Sequence, residues 1–516
     1  MKKYFFQLVT IAALTTSCGS TRNVSESASF AKNNVIAHRG AWKQDKLPEN
    51  SLASLRKAIS LGCTGSEFDV RMTADDSLVV NHDPNYHDLP IEKTKYADLA
   101  KHKLSNGEML PTLRSYLLEG IKNNSGTRLV CEIKPSQGGK AQGQLIATRV
   151  VNLVNELKAG GKVEYISFDY DILKKILEVS PAVLTHYLNG DKSPAQLKAD
   201  GIAGADYHYT VFMKNPGWIE EARKNGIVLN AWTVNSPADF DWLMAHDFDF
   251  ITTDEPESLF NRMKTSPVAS GWKLYWSDEF EYSGLPDSTK WNYDVGGHGW
   301  GNNEKQFYLE RSLENSYVSD GVLHIVALKK KHENSAYTSA KLTTYQRELV
   351  QYGKIEVMAK LPRGKGSWPA IWMLPETIRT GKEDWPLCGE IDIMEHVGKD
   401  PNVVHTSLHS ELYNHVKGTQ ITKFDTLDNV FDRFHKYGIE WTEDAILFYI
   451  DDKLFFKTKK GENGRVKTNE GWPFDKPYYL ILNLAVGGNW GGEVDDSIFP
   501  NEMQVDFVRF YKKEAK

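Results

Sequence analysis

Seven residues, Gly389-Glu390-Ile391-Asp392-Ile393-Met394-Glu395, place three carboxylates inside a run that otherwise reads as a buried β-strand. Side chains alternate faces along a strand, so Glu390 and Asp392 point one way and Glu395 the other, unless one residue is inserted between them. A β-bulge supplies that residue and gathers all three acids on one face. Burying like charges together is costly, and a core does not collect them without a chemical use. Two carboxylates on one face, one a nucleophile and one an acid of raised pKa, are what glycoside hydrolysis needs. The bland alternative is a solvated edge strand with scattered acids. The regular interleaving of Ile391, Ile393 and Met394 with the acids argues against it.

A second set of reactive types lies in the first half of the chain. His38-Arg39-Gly40, Glu67 with Asp69, Glu132 with Lys134, His82-Asp83 and Trp232 all fall at or near the ends of short apolar runs. Glu67, Asp69 and Glu132 would supply three hard oxygen ligands from neighbouring strands, which suits calcium or magnesium rather than zinc. Two histidines and an arginine beside such a metal suit a phosphodiester. The arginine and the metal neutralise phosphate, while one histidine takes a proton and the other gives one. Each histidine taken singly would more often be structural; their joint placement at strand ends is the stronger signal.

The elements that must position these groups differ between the two halves. From Asn34 to about Leu259, eight strand-like runs alternate with helical patterns: Val35–His38, Ser66–Arg71, Arg128–Lys134, Glu164–Asp169, Ala182–Tyr187, Gly204–His208, Val228–Val234 and Phe248–Thr253. Helix-like stretches such as Leu52–Leu61, Leu145–Lys158 and Pro216–Asn225 lie between them. Eight such repeats predict a (β/α)8 TIM-type barrel, whose chemistry sits at the carboxyl ends of the strands. Leu78 to Pro111 reads as a small insertion. A polar joint at Asn261–Ser270 follows, and from Trp272 the pattern changes to many short alternating runs, among them Val322–Ala327, Gly353–Leu361, Ala370–Leu374, Tyr437–Trp441, Ile446–Ile450 and Gln504–Tyr511. That pattern predicts an all-β jelly-roll sandwich. The expected domains are therefore a barrel over 34–262, a linker over 263–271 and a jelly roll over 272–516.

At 516 residues the chain is too long for one core. Its net charge of −6 with no basic stripe excludes nucleic acid as a partner class. Its 14 Trp and 23 Tyr are platforms for sugar rings as well as ordinary core material. Lys2 and Lys3 precede an apolar run from Tyr4 to Leu14 that is too short to span a membrane. The ending Leu14-Thr15-Thr16-Ser17-Cys18 resembles a bacterial lipoprotein cleavage box. Residues 1–18 are then a signal peptide, Cys18 the lipidated first residue, and 19–33 a polar tether, giving an exported lipoprotein held to a membrane by its lipid alone. An ordinary signal peptide with a chance cysteine is the alternative. The remaining Cys63, Cys131 and Cys388 are odd in number and widely spaced, which argues against a disulfide framework. Nothing in the sequence speaks to oligomeric state.

The first half resembles the glycerophosphodiester phosphodiesterase family. The resemblance runs through Val35-Ile36-Ala37-His38-Arg39-Gly40, Pro48-Glu49-Asn50-Ser51, Glu67-Phe68-Asp69-Val70, Asn81-His82-Asp83, Leu110-Pro111-Thr112-Leu113, Glu132-Ile133-Lys134 and Trp232-Thr233-Val234-Asn235. It implies His38 and His82 as the general acid/base pair, and Arg39 and Lys134 as phosphate ligands with Trp232 beside the substrate. It also implies a divalent metal, magnesium or calcium, on Glu67, Asp69, Glu132 and Glu49. Ala74-Asp75-Asp76 departs from the family's usual Lys/Arg-Asp-Gly, at a turn away from these groups.

The second half resembles glycoside hydrolase family 16 in its laminarinase-like branch. Beyond the acidic heptapeptide the resemblance rests on Trp300-Gly301-Asn302-Asn303-Glu304, Lys360-Leu361-Pro362, Trp368-Pro369-Ala370-Ile371-Trp372-Met373-Leu374-Pro375 and Leu482-Asn483-Leu484-Ala485-Val486-Gly487-Gly488-Asn489-Trp490. It implies Glu390 as nucleophile, Asp392 as its assistant, Glu395 as general acid/base and Met394 as the inserted residue. Retention of configuration follows, with the two carboxyls roughly 5–5.5 Å apart. Asn303, Trp368, Trp372, Trp385, His409 and Trp490 are the cleft residues; for Trp372 a core role is equally open. Asp506 with Asp278-Glu279 is a candidate structural calcium site, and His405 reads as a core residue or one behind the site.

The sequence thus points to a bifunctional hydrolase with a β-glucan and a glycerophosphodiester as substrates, joined in the sharper expectation as one phosphoglycerol-substituted glucan. Two independent activities on lipid-derived diesters and laminarin, or a glycan-binding lipoprotein with an inactive domain, are the alternatives.

Overall fold

The computed structural model describes residues 30–513. The signal peptide, Cys18 and most of the tether lie outside the described residues. Eight parallel strands close the expected barrel: β1 Val35–Ala37, β2 Gly65–Met72, β3 Arg128–Ile133, β4 Val163–Ser167, β5 Thr185–Tyr187, β6 Gly204–His208, β7 Val228–Trp232 and β8 Phe250–Thr253. They follow one another in sequence order around the sheet, and β1 pairs with both β8 and β2. Every residue of β2 and β3 is buried, as expected for strands packed by side-chain layers inside and helices outside. Charged residues within them therefore have no solvent to fall back on.

Local signals set the barrel helices. Leu52–Leu61 starts at Ser51, whose hydroxyl accepts the Ser54 amide in a capping box, and stops at Gly62 in the left-handed region (φ 75°). The insertion adds the strand Leu78–Val80 antiparallel to β2. Val79, Tyr86, Ile91, Leu99 and Leu110 form a small core of their own there. The expected polar joint is mostly helix: Pro256–Thr265 runs through it and a 3-10 turn at Val268–Ser270 follows. Arg262, on this helix, is buried with its guanidinium on Asp241 and 3.0 Å from Asp452. A polar residue reads as exposed only until its partners are known.

The second half is the expected sandwich of two antiparallel sheets. One has seven strands, ordered Asn292–Tyr293, Lys341–Thr343, Tyr478–Val486, Ser367–Pro375, Glu390–His396, Val403–His409 and Ile421–Thr426. In chain order, the five that build the site are β9 Ser367–Pro375, β10 Glu390–His396, β11 Val403–His409, β12 Ile421–Thr426 and β13 Tyr478–Val486. Ile371, Met373, Ile391, Val404, Leu408, Leu482 and Leu484 on one face of this sheet join Ile355, Val357, Ile439 and Phe510 of the other sheet in one apolar core. The opposite face is left for polar and aromatic groups. The chain divides into two compact units, one built on residues 37–185 and one on 34–36 with the residues from 186 onward. Among the described residues no helix is long and apolar enough to cross a membrane, and Cys63, Cys131 and Cys388 are buried free thiols.

Candidate functional sites

At the carboxyl ends of β2 and β3, oxygen atoms of Glu67, Asp69 and Glu132 lie within 4.8 Å of one another. Register explains this: β2 and β3 are parallel with Asp69 opposite Glu132, and Glu67 is two residues before Asp69 on the same face. Asn50 clamps Asp69, donating from Nδ2 to Oδ2 at 2.8 Å and accepting the Asp69 amide at 3.1 Å. Lys134 Nζ lies 2.7 Å from Glu132 and 3.2 Å from Asp69. Arg39, in the left-handed region at φ 54°, donates its amide to Glu67 at 2.8 Å and its guanidinium to Glu49 at 2.8 Å.

The electrostatics of this cluster call for more positive charge. Burial, then the charges of Asp69 and Glu132, raises Glu67 well above the carboxylate range. Burial, then Asp69, pushes Glu132 up to about 7. Burial works against Asp69 too, but Lys134, His82, Arg39 and the Asn50 bond hold it at about 2. Glu67 Oε1 is buried without a hydrogen-bond partner. A hard divalent cation fits this donor set, because three converging carboxylates that the chain's own cations do not fully neutralise are what such an ion replaces water with. Glu49, expected with them, stands apart: its carboxylate is half-exposed and spent on Arg39.

His82 sits after the insertion strand with Nδ1 2.8 Å from Asp83 Oδ1. Burial lowers its pKa, and the nearby Asp69 charge only partly offsets that. The backbone carbonyl of His82 accepts two bonds from Arg71, at 2.9 Å and 2.6 Å. Arg71 is a residue the motif reading passed over, although its place two positions after Asp69 on a buried strand was a signal. His38 Nε2 lies 3.9 Å from Glu67. Trp232, on β7, spends its indole N–H on the Asp206 carbonyl at 2.8 Å and sets its ring edge-on to His208.

In the jelly roll the bulge is present. Register shifts by one residue between Asp392 and Glu395 against both neighbouring strands. Met394 pairs with Ile371 of β9, so the residue left without a partner there is Ile393, not Met394. Both pack into the core, which a methionine and an isoleucine satisfy equally well in sequence. The result is a strict row of pairs on the open face: Glu390 opposite His409, Asp392 opposite Ser407 and Glu395 opposite His405. Directly opposed residues share a face, so all three acids lie on the side away from the core.

His409 Nε2 is 3.2 Å from Asp392 and 3.8 Å from Glu390. Trp368 Nε1 donates to Glu395 Oε1 at 3.2 Å, and the Trp385 ring lies 6.1 Å from that of His409. Burial, then Asp392, pushes Glu390 up to about 8. Burial, then Glu395, raises Asp392 well above its usual range. Burial, then Glu390, pushes Glu395 up to about 7. A proton on Asp392 would remove its charge from beside Glu390 and so favour ionisation of Glu390.

The remaining cleft residues separate into two kinds. Trp490 stands edge-on to Trp368 and to His405 on the open face. Asn303, at φ 55°, donates to Asn489 at 2.8 Å and so ties the two loops that flank the acids. Trp372 is on the open face but is not a free platform. Its N–H goes to Asn483 at 2.7 Å and the Lys341 ammonium lies 4.8 Å from its ring centre. Lys341, unremarked in the sequence, is buried between Trp372 and Trp300, 3.5 Å from Asp294. His405 is half-buried opposite Glu395 on the open face.

Of the expected calcium ligands, Asp506 is buried near the charges of Asp239, Glu279 and Glu281, which with burial push it up to about 7. Asp278 takes bonds from Trp291, Tyr282 and the Phe280 amide, and Glu279 is held by Arg509 at 2.8 Å. Neither joins Asp506 in a converging donor group among the described residues.

Comparison with known proteins agrees with this division. Residues 38–258 match the glycerophosphoryl diester phosphodiesterase family and residues 303–509 match glycosyl hydrolases family 16. Residues 207–384 also match the beta-glucan synthesis-associated protein SKN1/KRE6/Sbg1 family. A Beta-glucanase of Rhodothermus marinus is 49% identical over 253 residues, covering 48% of this chain and 87% of that protein. Glucan endo-1,3-beta-glucosidase A1 of Niallia circulans is 38% identical over 48% of this chain and 39% of its own length. Among solved structures, the laminarinase from Rhodothermus marinus is 47% identical, with a TM-score of 0.46, over 47% of this chain and 98% of that one.

Proposed function

The chain belongs to glycosyl hydrolases family 16 and carries a glycerophosphoryl diester phosphodiesterase domain ahead of it, and from that premise we propose an exported bifunctional hydrolase that strips phosphodiester substituents from a β-1,3-glucan or mixed-linkage β-glucan and cuts its backbone. The observation that carries the reading is that both sets of reactive groups are complete on one chain: the three acids paired in register on β10 and β11, and the converging carboxylates of β2 and β3.

In the jelly roll, Glu390 attacks the anomeric carbon while Glu395, protonated, gives its proton to the leaving oxygen. Glu395 then takes a proton from the water that releases the sugar, and configuration is retained. Asp392 assists Glu390 from beside it on the same face, and Trp368 holds the Glu395 carboxyl through its indole N–H. In the barrel, Arg39 and Lys134 hold the phosphate, while His38 and His82 give and take the protons of diester cleavage. A divalent cation on Glu67, Asp69 and Glu132 would supply charge neutralisation at the phosphate. Lys134 and Asn50 hold the Asp69 carboxylate in place for it.

Joining the two sites keeps the product of one near the other, which raises its effective concentration. The N-terminal Lys2, Lys3 and Cys18 support export and lipid anchoring. A phosphoglycerol-substituted β-glucan tests the reading with two variants. Release of glycerol phosphate should fall in His38→Ala and persist in Glu390→Gln, while new reducing ends should show the reverse. Activity confined to free glycerophosphodiesters and unsubstituted laminarin would leave two unrelated hydrolases.

A further inference from the structure

The row of pairs that carries the acids does not end at β11. Glu395 on β10 lies opposite His405 on β11, and His405 lies opposite Phe424 on β12. The three side chains therefore share the open face in a line perpendicular to the strands. Adjacent strands are about 4.8 Å apart, so Phe424 stands about 10 Å from the acid/base along the direction in which a glucan would cross the sheet.

Phe424 is 61% exposed, a large apolar ring on an edge strand whose neighbours Thr422, Lys423, Asp425 and Thr426 are all solvated. Its ring is 5.5 Å from that of His405, which in turn is 4.9 Å from Trp490, itself 5.6 Å from Trp368. Trp368 bonds Glu395. A continuous aromatic track thus leads from the acid/base to the sheet edge. Beside it is a cavity of about 290 Å³ lined by Lys399, Asp400, Pro401, Val403, His405 and Phe424. An apolar ring face with a few polar groups at its rim is the chemistry of a pyranose site: the ring stacks on C–H faces and the polar side chains meet hydroxyls.

We propose that the Phe424–His405 pocket is a remote sugar subsite that holds a glucosyl unit of the same chain, beyond the ring at the scissile bond, and so makes the enzyme prefer longer glucans. The proposal rests on the glucan-hydrolase reading above. Lys399 and Asp400 offer opposite charges at the pocket rim, which suits neutral hydroxyls as both donors and acceptors. Phe424 touches no acid, so its loss should weaken only the binding of a chain long enough to reach it.

The experiment is kcat/KM on a ladder of β-1,3-gluco-oligosaccharides for the full chain, Phe424→Ala and Phe424→Trp. Wild type should gain with length, and Phe424→Ala should lose the last step of that gain, about 3- to 10-fold, with short substrates unchanged and Phe424→Trp restoring it. An equal loss at every length, or an unchanged length profile in Phe424→Ala, overturns the subsite alone. A wild-type enzyme inert on the whole ladder overturns the glucan reading and the subsite together.

Discussion

Arg71 grips the backbone carbonyl of His82 with two hydrogen bonds, Nε at 2.9 Å and a terminal guanidinium nitrogen at 2.6 Å. The histidine loop follows the insertion strand Leu78–Val80, which pairs with β2, and Arg71 of β2, two residues beyond Asp69, fixes its carbonyl. Arg71→Ala should lower phosphodiesterase kcat by about 10- to 100-fold, because small misplacements of a proton-transfer group are costly. Arg71→Lys should recover only part, since an ammonium cannot reproduce the fork. Laminarin hydrolysis by the same preparations should be unchanged.

The glucanase should lose activity as the medium turns alkaline. Glu395 must be protonated to act as an acid, and burial with Glu390 pushes it up to about 7. Activity should fall as pH rises through about 7, and protonation of Glu390, itself pushed up to about 8, should limit it on the acid side. The Trp368 bond favours the ionised form, so Trp368→Phe should move that limb to higher pH, whatever it does to the rate. A kcat/KM profile on laminarin from pH 4 to 10 reads the position of the limb directly.

Chelation should separate the two activities. Removing divalent ions with excess EDTA should abolish release of glycerol phosphate from glycerophosphocholine, and added magnesium or calcium should restore it. Reducing-end release from laminarin should persist, because that chemistry runs on the Glu390 and Glu395 carboxyls without a metal.

Gly389, just before the nucleophile, has φ 86°, and a Cβ there would lie 2.4 Å from the Tyr478 hydroxyl and 2.7 Å from Pro473. Gly389→Ala should cost about 1–2 kcal/mol from the backbone alone, with further loss from the clash. Lower thermal stability and reduced laminarin hydrolysis, with glycerophosphodiester cleavage retained, are the expected outcome of calorimetry and paired assays.

Much of the fold was legible because its periods are strong. All eight barrel strands and the six sandwich strands named from alternation appear within a few residues of their expected bounds. The bulge was legible from the arithmetic of alternation, since three acids on one face of one strand demand it. Which residue it leaves over was not, because Ile393 and Met394 are equally at home in the core. The helix through the joint was not legible, because its buried Arg262 is paired with Asp241, 21 residues away in sequence. Trp372 was undecidable for another, as its ring is occupied by Lys341, which is 31 residues away in sequence and gives no local signal.

By itself the sequence determined the chemistry: which strands carry acids, which ends carry histidines, and that two hydrolytic sets share one chain. Residue type and alternation are local properties, and local properties suffice for that. Tertiary structure alone decided neighbourhood. It set His409 beside Asp392, His405 between Glu395 and Phe424 and Arg71 under His82, and it gave Glu49, Asp278 and Glu279 protein partners. Cross-strand register and burial fix those distances, and neither is written in the spacing of any one segment.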